Sequence, residues 1–281
     1  MGAAVGERLL DAGYDLVVHN RSREKTAALA TRGAEIADTP ANLAAAVDIV
    51  FTSLSDDDAL EEVAEAVAAA ARPGAVLAEL STVSPPASAR VAALAERASL
   101  AYLRAPVSGN PAAVRAGNVS FIVSGPRQAL ERVEPLLRTI GRAVLYVGEG
   151  EQARVVKLAI NLVIGGLAQL MAEALVLGEA SGVSRAALLE TMGESAAGAP
   201  FVKYKTEQLL RDDYSATFTT RLMEKDLDLV LGAAEVAGVR LPLAEEIKGL
   251  VRSAIEAGYG DDDFMALFPH LKNASCQEAL P

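Results

Sequence analysis

The chain contains very little cysteine and histidine. Its 281 residues include one cysteine, Cys276, and two histidines, His19 and His270. A single thiol forms no internal disulfide, which fits a reducing cytoplasm, and it excludes a cysteine-based metal site. Two histidines are also too few for a histidine-rich metal centre. We therefore expect a cytoplasmic protein without a metal ion.

Basic residues are also scarce for a protein that binds polyanions such as nucleic acids. The chain has 26 Lys and Arg against 37 Asp and Glu, a formal net charge of -11. This balance argues against nucleic acid and anionic membranes as partners and favours small molecules. Adjacent carboxylates at Asp57 and Asp58 and at Asp261, Asp262 and Asp263 lack the spacing of a cation-binding loop. We expect them to be solvated.

Long apolar runs are absent apart from one. The stretch 158–172 contains Asn161 and Gln169 and is too short for a confident membrane span. It belongs to a helical pattern that runs unbroken from about Glu151 to Ser181. The sequence therefore predicts a buried helix here.

One face of this helix carries polar residues. Lys157, Asn161 and Gly165 fall four apart, so they share a side, and the glycine is expected to leave room for a small polar ligand. Burial can lower the pKa of a lysine by up to roughly 3 to 5 units. Lys157 is thus a candidate proton donor. The alternative is a lysine whose stem lines apolar surface while its charge reaches solvent.

The two halves of the chain have different patterns. Strand-like segments alternate with helical ones at 15–20, 49–54, 76–80, 101–105, 120–124 and 143–147. Such alternation predicts a doubly wound, mainly parallel sheet covered by helices on both faces. Beyond Gly150 every periodicity is helical. We predict an α/β, Rossmann-like NAD(P)-binding domain over residues 1–150 and an all-α substrate and dimerisation domain over 151–281.

A dinucleotide site is indicated by residues near the start of the chain. In a doubly wound fold, a residue about 20 positions beyond the glycine turn contacts the ribose. Arg21 lies nineteen positions after Gly2, between Asn20 and Ser22. An arginine there suits the 2'-phosphate of NADP, whereas an acid would bind the free hydroxyl of NAD. NADP is the expected cofactor and NAD the alternative, unless Arg21 is an ordinary solvated cation.

Six segments in order carry a family resemblance. They are Met1-Gly2, Asn20-Arg21-Ser22, Ser81-Thr82-Val83-Ser84-Pro85, Arg104-Ala105-Pro106-Val107-Ser108-Gly109-Asn110, Gly148-Glu149-Gly150 with Lys157-Leu158-Ala159-Ile160-Asn161, and Phe218 with Lys225-Asp226. Together they resemble the beta-hydroxyacid dehydrogenase family, which includes 3-hydroxyisobutyrate dehydrogenase, tartronate semialdehyde reductase and the glyoxylate or succinic semialdehyde reductases. The resemblance extends from Met1 to about Phe268.

The resemblance implies a hydride transfer between a nicotinamide and a small beta-hydroxy acid, aldehyde or keto acid. Lys157 would act as general acid and base, and Lys225 would close over the cofactor. The implied substrate-binding residues are Ser108, Gly109, Asn110 and Asn161. The implied cofactor-binding residues are Gly2, Asn20, Arg21, Ser22, Leu54, Ser55, Thr82 and Lys225. A small carboxylate substrate and a homodimer or homotetramer are also implied.

The chain departs from the family pattern at several points. Arg104 replaces an acid, and Asn110 replaces a glycine of the substrate loop, where asparagine would tolerate a left-handed backbone. The first strand and first two glycines of the cofactor turn do not precede Gly2. We expect either a start assigned about ten residues late or a protein that has lost tight cofactor binding. The alternatives to a dehydrogenase are a dimeric scaffold without chemistry and an imine reductase, although imine reductases generally carry another residue in place of Lys157.

Overall fold

The computed structural model describes residues 1–278, with side chains described as far as residue 275. The side chain of Cys276 therefore lies outside the described residues. The chain divides into two compact units, Met1–Lys157 and the part from Leu158 onward, so the division falls inside a helix. The domain boundary at residue 150 stays a prediction.

The first unit alternates short strands and helices. Its strands are β1 Val17–Val18, β2 Glu35–Ile36, β3 Ile49–Thr52, β4 Val76–Glu79, β5 Ala101–Arg104, β6 Val107–Ser108, β7 Ser120–Ser124 and β8 Ala143–Gly148. Its helices are α1 Gly2–Asp11, α2 Ala27–Ala30, α3 Pro40–Ala46, α4 Asp57–Ala70, α5 Pro85–Arg97, α6 Pro111–Arg115 and α7 Arg127–Ile140, and the first turns of α8 Gln152–Ala180 complete it.

The strands form two sheets. β1 and β2 pair in parallel as a two-stranded sheet, while β3, β4 and β5 pair in parallel within a six-stranded one. β5 and β6 then pair in succession with β7, both antiparallel, and β8 pairs with β7 in parallel. The parallel strands direct their carboxyl ends to one edge, where ligands bind in folds of this kind.

Helix starts in this unit follow the capping chemistry that the sequence indicates. Thr39 Oγ1 accepts the backbone N–H of Asn42 at 3.0 Å, and Pro40 occupies the first position of α3. Asp56 accepts the backbone N–H of Ala59 at 2.9 Å and so caps α4. Threonine and aspartate are both preferred at a helix N-cap, so these two starts follow from residues within one turn.

Other parts of the first unit differ from the prediction. The strand expected over 15–20 is only the two residues of β1, and the segment after it forms a 3-10 turn, Arg23–Thr26, followed by the short α2. β2, β6 and α6 were not predicted. Elements of two to five residues carry too little periodicity to stand out in a sequence.

Two apolar clusters fill the space beside the six-stranded sheet. One is formed by α1 and α7 against β4, β5 and β7, with Phe121, Leu137 and Ile140 fully buried. The other is formed by α4 and α5 against β3 and β4, around Leu60 and Leu77. The strands are thus buried on both faces, which explains why they appear in the sequence as apolar runs.

The second unit is entirely helical. After α8 come α9 Arg185–Glu194, α10 Pro200–Leu210, α11 Thr220–Ala237, α12 Pro242–Ala254 with a π turn at Ile255–Tyr259, a 3-10 turn at Phe264–Ala266, and α13 Leu267–Glu278. Its core gathers Leu175, Leu189, Leu209, Val251 and Phe268. These burials bring the amphipathic faces of α8 to α13 together.

Helix α8 is longer than the apolar stretch that marks it in the sequence. At 29 residues it is, by length and composition alone, able to cross a membrane, and 44% of its most apolar 18-residue window is buried. A buried core helix passes the same test, so this property alone says little about a membrane. The predicted unbroken helix from about Glu151 to Ser181 is confirmed.

Candidate functional site

Lys157 lies in the second turn of α8 and is buried, with 8% of its surface exposed. Asn161, four residues along the same helix, is 6% exposed. Residues four apart on a helix share a face, so the structure brings the two polar side chains together as predicted. The burial of Lys157 argues against a lysine that merely lies along the surface.

Gly165, the third member of this face, has a different role from the one predicted. A Cβ atom placed on it would lie 3.2 Å from Met223 Sδ and 3.9 Å from both Leu227 and Ile247. The space beside Gly165 is therefore filled by the apolar side chains of α11 and α12. The glycine permits close helix packing in the second unit, and the expectation that it leaves room for a ligand is wrong.

The amide of Asn161 is oriented by a carboxylate that the sequence analysis did not single out. Asn161 Nδ2 donates a hydrogen bond to Asp226 Oδ2 at 2.5 Å, and Asp226 is only 1% exposed. Lys225 Nζ lies 3.0 Å from the other oxygen, Asp226 Oδ1. Asp226 thus accepts the Asn161 amide through one oxygen and forms an ion pair with Lys225 through the other.

The predicted substrate loop follows β5 and β6. Ser108 ends β6 and is half-buried, and Gly109 has a φ of +145°. A Cβ atom on Gly109 would lie 2.6 Å from Val119 Cγ1, so no side chain fits there. Asn110 has an extended backbone with a φ of -127°, and its Oδ1 caps α6 by accepting the N–H of Ala113 at 2.9 Å.

The expectation for Asn110 is therefore wrong in its reason. The left-handed requirement falls on Gly109, whereas Asn110 is present as a helix N-cap, a position at which asparagine is among the preferred residues. Arg104, the other departure in this segment, is buried, forms an ion pair with Glu151 and stacks 4.7 Å over the Tyr102 ring. The charge of Arg104 is thus paired with a carboxylate inside the first unit.

Residues predicted for the cofactor lie where β1, β3 and β4 end. Asn20 Nδ2 donates to the Ser22 carbonyl at 2.9 Å in the turn after β1, and Arg21 is exposed there. After β3, the Leu54 N–H donates to Ser81 Oγ at 2.7 Å, which joins the ends of β3 and β4. Ser55 and Thr82 follow these two residues directly, so the ends of β3 and β4 bring Leu54, Ser55 and Thr82 to the same part of the first unit, while Asn20, Arg21 and Ser22 follow β1 of the other sheet.

The start of α1 suits an anion. Gly2 is its first residue, no acidic side chain lies in its first turn, and the unpaired N–H groups of a first turn are donors that suit a phosphate. A Cβ atom on Gly2 would meet Ser53 at an ordinary 3.5 Å, whereas one on Gly6 would lie 2.9 Å from Leu29. Gly6, which was not predicted, is the glycine that lets α1 pack closely. The residues present fit a dinucleotide.

Acidic residues elsewhere serve the fold. Asp263 was expected to be solvated, but it is fully buried and accepts hydrogen bonds from Lys205 Nζ at 2.8 Å and from Thr217 Oγ1 at 2.7 Å. Among the side chains that the structure describes, no three His, Cys, Asp or Glu residues are grouped to hold a metal ion.

Two known protein families match this chain, one over its first half and one over its second half. The model for the NAD binding domain of 6-phosphogluconate dehydrogenase matches residues 1–148, and that for the NAD-binding region of NADP-dependent 3-hydroxyisobutyrate dehydrogenase matches residues 151–271. The chain belongs to the beta-hydroxyacid dehydrogenase family. As a member of this family it is an NAD(P)-binding oxidoreductase that acts on CH–OH groups, and members of the family act on small carboxylates.

Individual relatives match this chain over nearly their full lengths. An uncharacterized oxidoreductase, YfjR of Bacillus subtilis, is 32% identical over 97% of this chain and 96% of its own. The solved 3-hydroxyisobutyrate dehydrogenase of Mycobacterium tuberculosis with L-serine is 27% identical, covers 97% and 96% of the two chains and has a TM-score of 0.88. Psf3, solved with NADP+ and 2-OPP, is 25% identical over 96% of each chain, also with a TM-score of 0.88.

The imine reductases resemble this family member less. An imine reductase from Myxococcus stipitatus is 24% identical, covers 97% of this chain and 96% of its own, and has a TM-score of 0.64. This likeness shows a shared fold and nothing about activity. The dehydrogenase interpretation is therefore favoured over the imine reductase alternative.

Two further residues of this beta-hydroxyacid dehydrogenase were missed by sequence reasoning. Arg154, one turn before Lys157, is 1% exposed and forms an ion pair with the fully buried Glu79 at the end of β4. Burial by itself disfavours the Arg154 cation, but Glu79 and Tyr102 outweigh burial and raise the pKa of the guanidinium. The available signal was a second cation inside the same helical run as Lys157.

Proposed function

We propose that the chain catalyses NADPH-linked reduction of a small aldehyde or keto acid to the hydroxy acid, and the reverse oxidation. The observation that carries this proposal is the burial of Lys157 on α8, one turn from Asn161, in a chain whose family acts on CH–OH groups. A buried amine whose neighbour is an oriented amide is suited to exchange a proton with a substrate oxygen.

The nicotinamide cofactor supplies or accepts the hydride when it is bound. In reduction, Lys157 Nζ donates a proton to the oxygen of the substrate carbonyl, and in oxidation it accepts that proton from the hydroxyl. General acid and base help of this kind contributes roughly a hundred- to ten-thousand-fold in rate. Asp226 holds the amide of Asn161 through the 2.5 Å hydrogen bond, so the amide keeps one orientation toward the substrate.

The substrate carboxylate is bound by Ser108, Gly109 and Asn110. The Ser108 hydroxyl and the backbone N–H groups at Gly109 and Asn110 provide donors, and the absence of a side chain at Gly109 leaves the backbone accessible. Arg104 is excluded from this role because Glu151 engages its guanidinium. Recognition through neutral donors is consistent with a small and polar substrate.

The preference for NADP rests on Arg21. Its exposed guanidinium follows β1 beside Ser22, where a 2'-phosphate would meet a cation and a hydroxyl. Arg21→Asp should raise the KM for NADPH by about ten- to a hundredfold, the size of one hydrogen bond to a charged group, and should spare NADH. Arg72→Asp, which alters another exposed arginine of the first unit, is the control. Equal losses for NADPH and NADH in Arg21→Asp would contradict the preference.

The role of Lys157 has a direct test. Lys157→Ala should remove turnover while the Kd for NADPH stays close to that of the wild type. The matched control is Lys203→Ala, since Lys203 is an exposed lysine of α10 that pairs with Glu194 at 2.8 Å. Turnover that survives in Lys157→Ala would refute the assignment. A wild-type protein without saturable NADPH binding would instead favour the scaffold alternative.

We also propose that two copies associate through the second unit. Val163, Leu170 and Leu177 lie seven residues apart on α8 and are 60%, 61% and 70% exposed, and beside Val163 and Leu170 an apolar groove runs between α8 and the start of α12. A stripe with seven-residue spacing is typical of a helix that packs against another. Light scattering should show a homodimer or homotetramer that Leu170→Glu dissociates and Val236→Glu does not. A monomeric wild type would overturn this.

A further inference from the structure

Arg154 is a fully buried cation in the first turns of α8. Its guanidinium makes an ion pair with Glu79, donates to the Ser81 carbonyl from Nη1 at 2.8 Å, and donates to the Tyr102 hydroxyl from Nη2 at 3.1 Å. Arg154 Nε lies 3.2 Å from Ser88 Oγ, its acceptor. Every nitrogen of the guanidinium therefore has a partner in the first unit.

These contacts immobilise the segment that follows β4. The Ser81 N–H donates to Glu79 Oε1 at 2.6 Å, the Ser81 carbonyl accepts from Arg154, and Ser81 Oγ accepts from the Leu54 N–H. All the polar groups of Ser81 are thus engaged, and two of them depend on the Glu79 to Arg154 pair. Thr82, the next residue, continues from a backbone that cannot shift alone.

The same turn of α8 is held at two other points. Glu151, just before the helix, forms an ion pair with Arg104 of β5. Ser124 at the end of β7 accepts the N–H of Ala153 and donates to the Gly150 carbonyl at 2.6 Å. The start of α8 is therefore attached to the ends of β4, β5 and β7, and Arg154 supplies the attachment to β4.

Lys157 is three residues beyond Arg154, about 4.5 Å further along the helix axis. Because a helix is rigid over one turn, the position of its first turn determines the position of the next turn. Buried ion pairs are weak sources of stability, and apolar residues of similar volume often replace them without loss. Stability alone therefore does not explain a buried pair of arginine and glutamate at this position. A requirement for fixed geometry does explain it.

We propose that Arg154 is a positioning residue, which holds the first turns of α8 against Glu79 and Ser81 and so sets the place of Lys157 relative to the end of β4. This inference rests on the proposed role of Lys157 as proton donor. It adds the statement that the Glu79 to Arg154 pair acts through Lys157 and not only through the fold.

The first test compares two buried pairs of equal exposure. Arg154→Met should lower kcat, measured at saturating NADPH, about tenfold or more and alter its pH profile, because small misplacements of a catalytic group cost that much. Arg154→Lys should recover part of the loss. The control is Lys205→Met in the second unit, whose pair with Asp263 has the same 1% and 0% exposure as Arg154 with Glu79. A loss no larger than in Lys205→Met would overturn the inference.

The second test needs no turnover, so it separates this inference from the proposed function. Lysines of the protein without cofactor are methylated with 13C-formaldehyde, and the Lys157 signal is followed by NMR as a function of pH. Arg154→Met should change its titration, Lys205→Met should not, and Glu79→Gln replaces Arg154→Met if that variant does not fold. An unchanged Lys157 signal in both first-unit variants refutes positioning, whereas turnover in Lys157→Ala refutes only the proposed function.

Discussion

Asp226→Asn should impair the enzyme through a residue that does not itself exchange the proton. Asp226 is 1% exposed, accepts the Asn161 amide at 2.5 Å and lies 3.0 Å from Lys225 Nζ. An asparagine at this position carries no charge, so the hydrogen bond from Asn161 loses its charged acceptor and the ion pair with Lys225 is lost. The amide of Asn161 then loses the charged acceptor that orients it.

The size of the effect follows from these contacts. A hydrogen bond to a charged, buried acceptor contributes about 1.5 to 3 kcal/mol. The ion pair with Lys225 adds at most about 1 kcal/mol, because the Lys225 side chain is 30% exposed and solvent screens it. We therefore expect the coupling between positions 161 and 226 to be about 1.5 to 3 kcal/mol, or roughly ten- to 150-fold in kcat/KM.

A double-mutant cycle measures this coupling. The kcat/KM is determined for the wild type, Asn161→Ala, Asp226→Asn and the double variant, and denaturant unfolding monitors the fold. Asp228→Asn is the matched control, because Asp228 lies two residues further on α11 with a 51% exposed side chain, and it should stay within about twofold. Effects of the two single variants that add to within about 0.5 kcal/mol would refute the coupling.

Two further predictions concern the loop and the pH response. Gly109 has a φ of +145° and a Cβ there would meet Val119, so Gly109→Ala should lower the free energy of unfolding by about 1 to 3 kcal/mol and raise the substrate KM. Gly232 lies in α11 beside open space, so Gly232→Ala should raise the free energy of unfolding by up to about 1 kcal/mol, measured by thermal unfolding. Burial lowers the pKa of His270, so protonation favours the unfolded chain. Stability should fall as the pH drops below about 6.5, and His270→Gln should flatten that dependence in urea titrations at several pH values. A stability that is independent of pH in this range, or unchanged by either glycine substitution, would contradict these assignments.

Much of the site was visible in the sequence because its signals are local. Lys157 and Asn161 are four residues apart in an apolar helical run, and that spacing alone puts them on one face. Thr39 and Asp56 likewise cap helices by accepting from residues only three positions away, which is a local signal. Six segments in family order then connected Lys157 to a nicotinamide enzyme, and both family models agree with that assignment.

The partners of the polar residues were not visible, because they come from distant parts of the chain. Asn161 meets Asp226 from α11, and Arg154 meets Glu79 from β4. Nothing in the local pattern around either residue indicates which carboxylate it will meet. Asp263 resembled a solvated acid because its neighbours in sequence are acidic, whereas packing buries it against Lys205.

The sequence by itself determined the alternation of strands and helices, the long apolar helix and the place of Lys157 on it, since periodicity and capping depend on residues within a few positions. The tertiary structure alone decided that Met223 fills the space beside Gly165, that Gly109 and not Asn110 takes the left-handed backbone, and that Arg154 joins α8 to β4. The physical reason is that close packing and buried charge require specific neighbours in space, and only the folded chain brings those neighbours together.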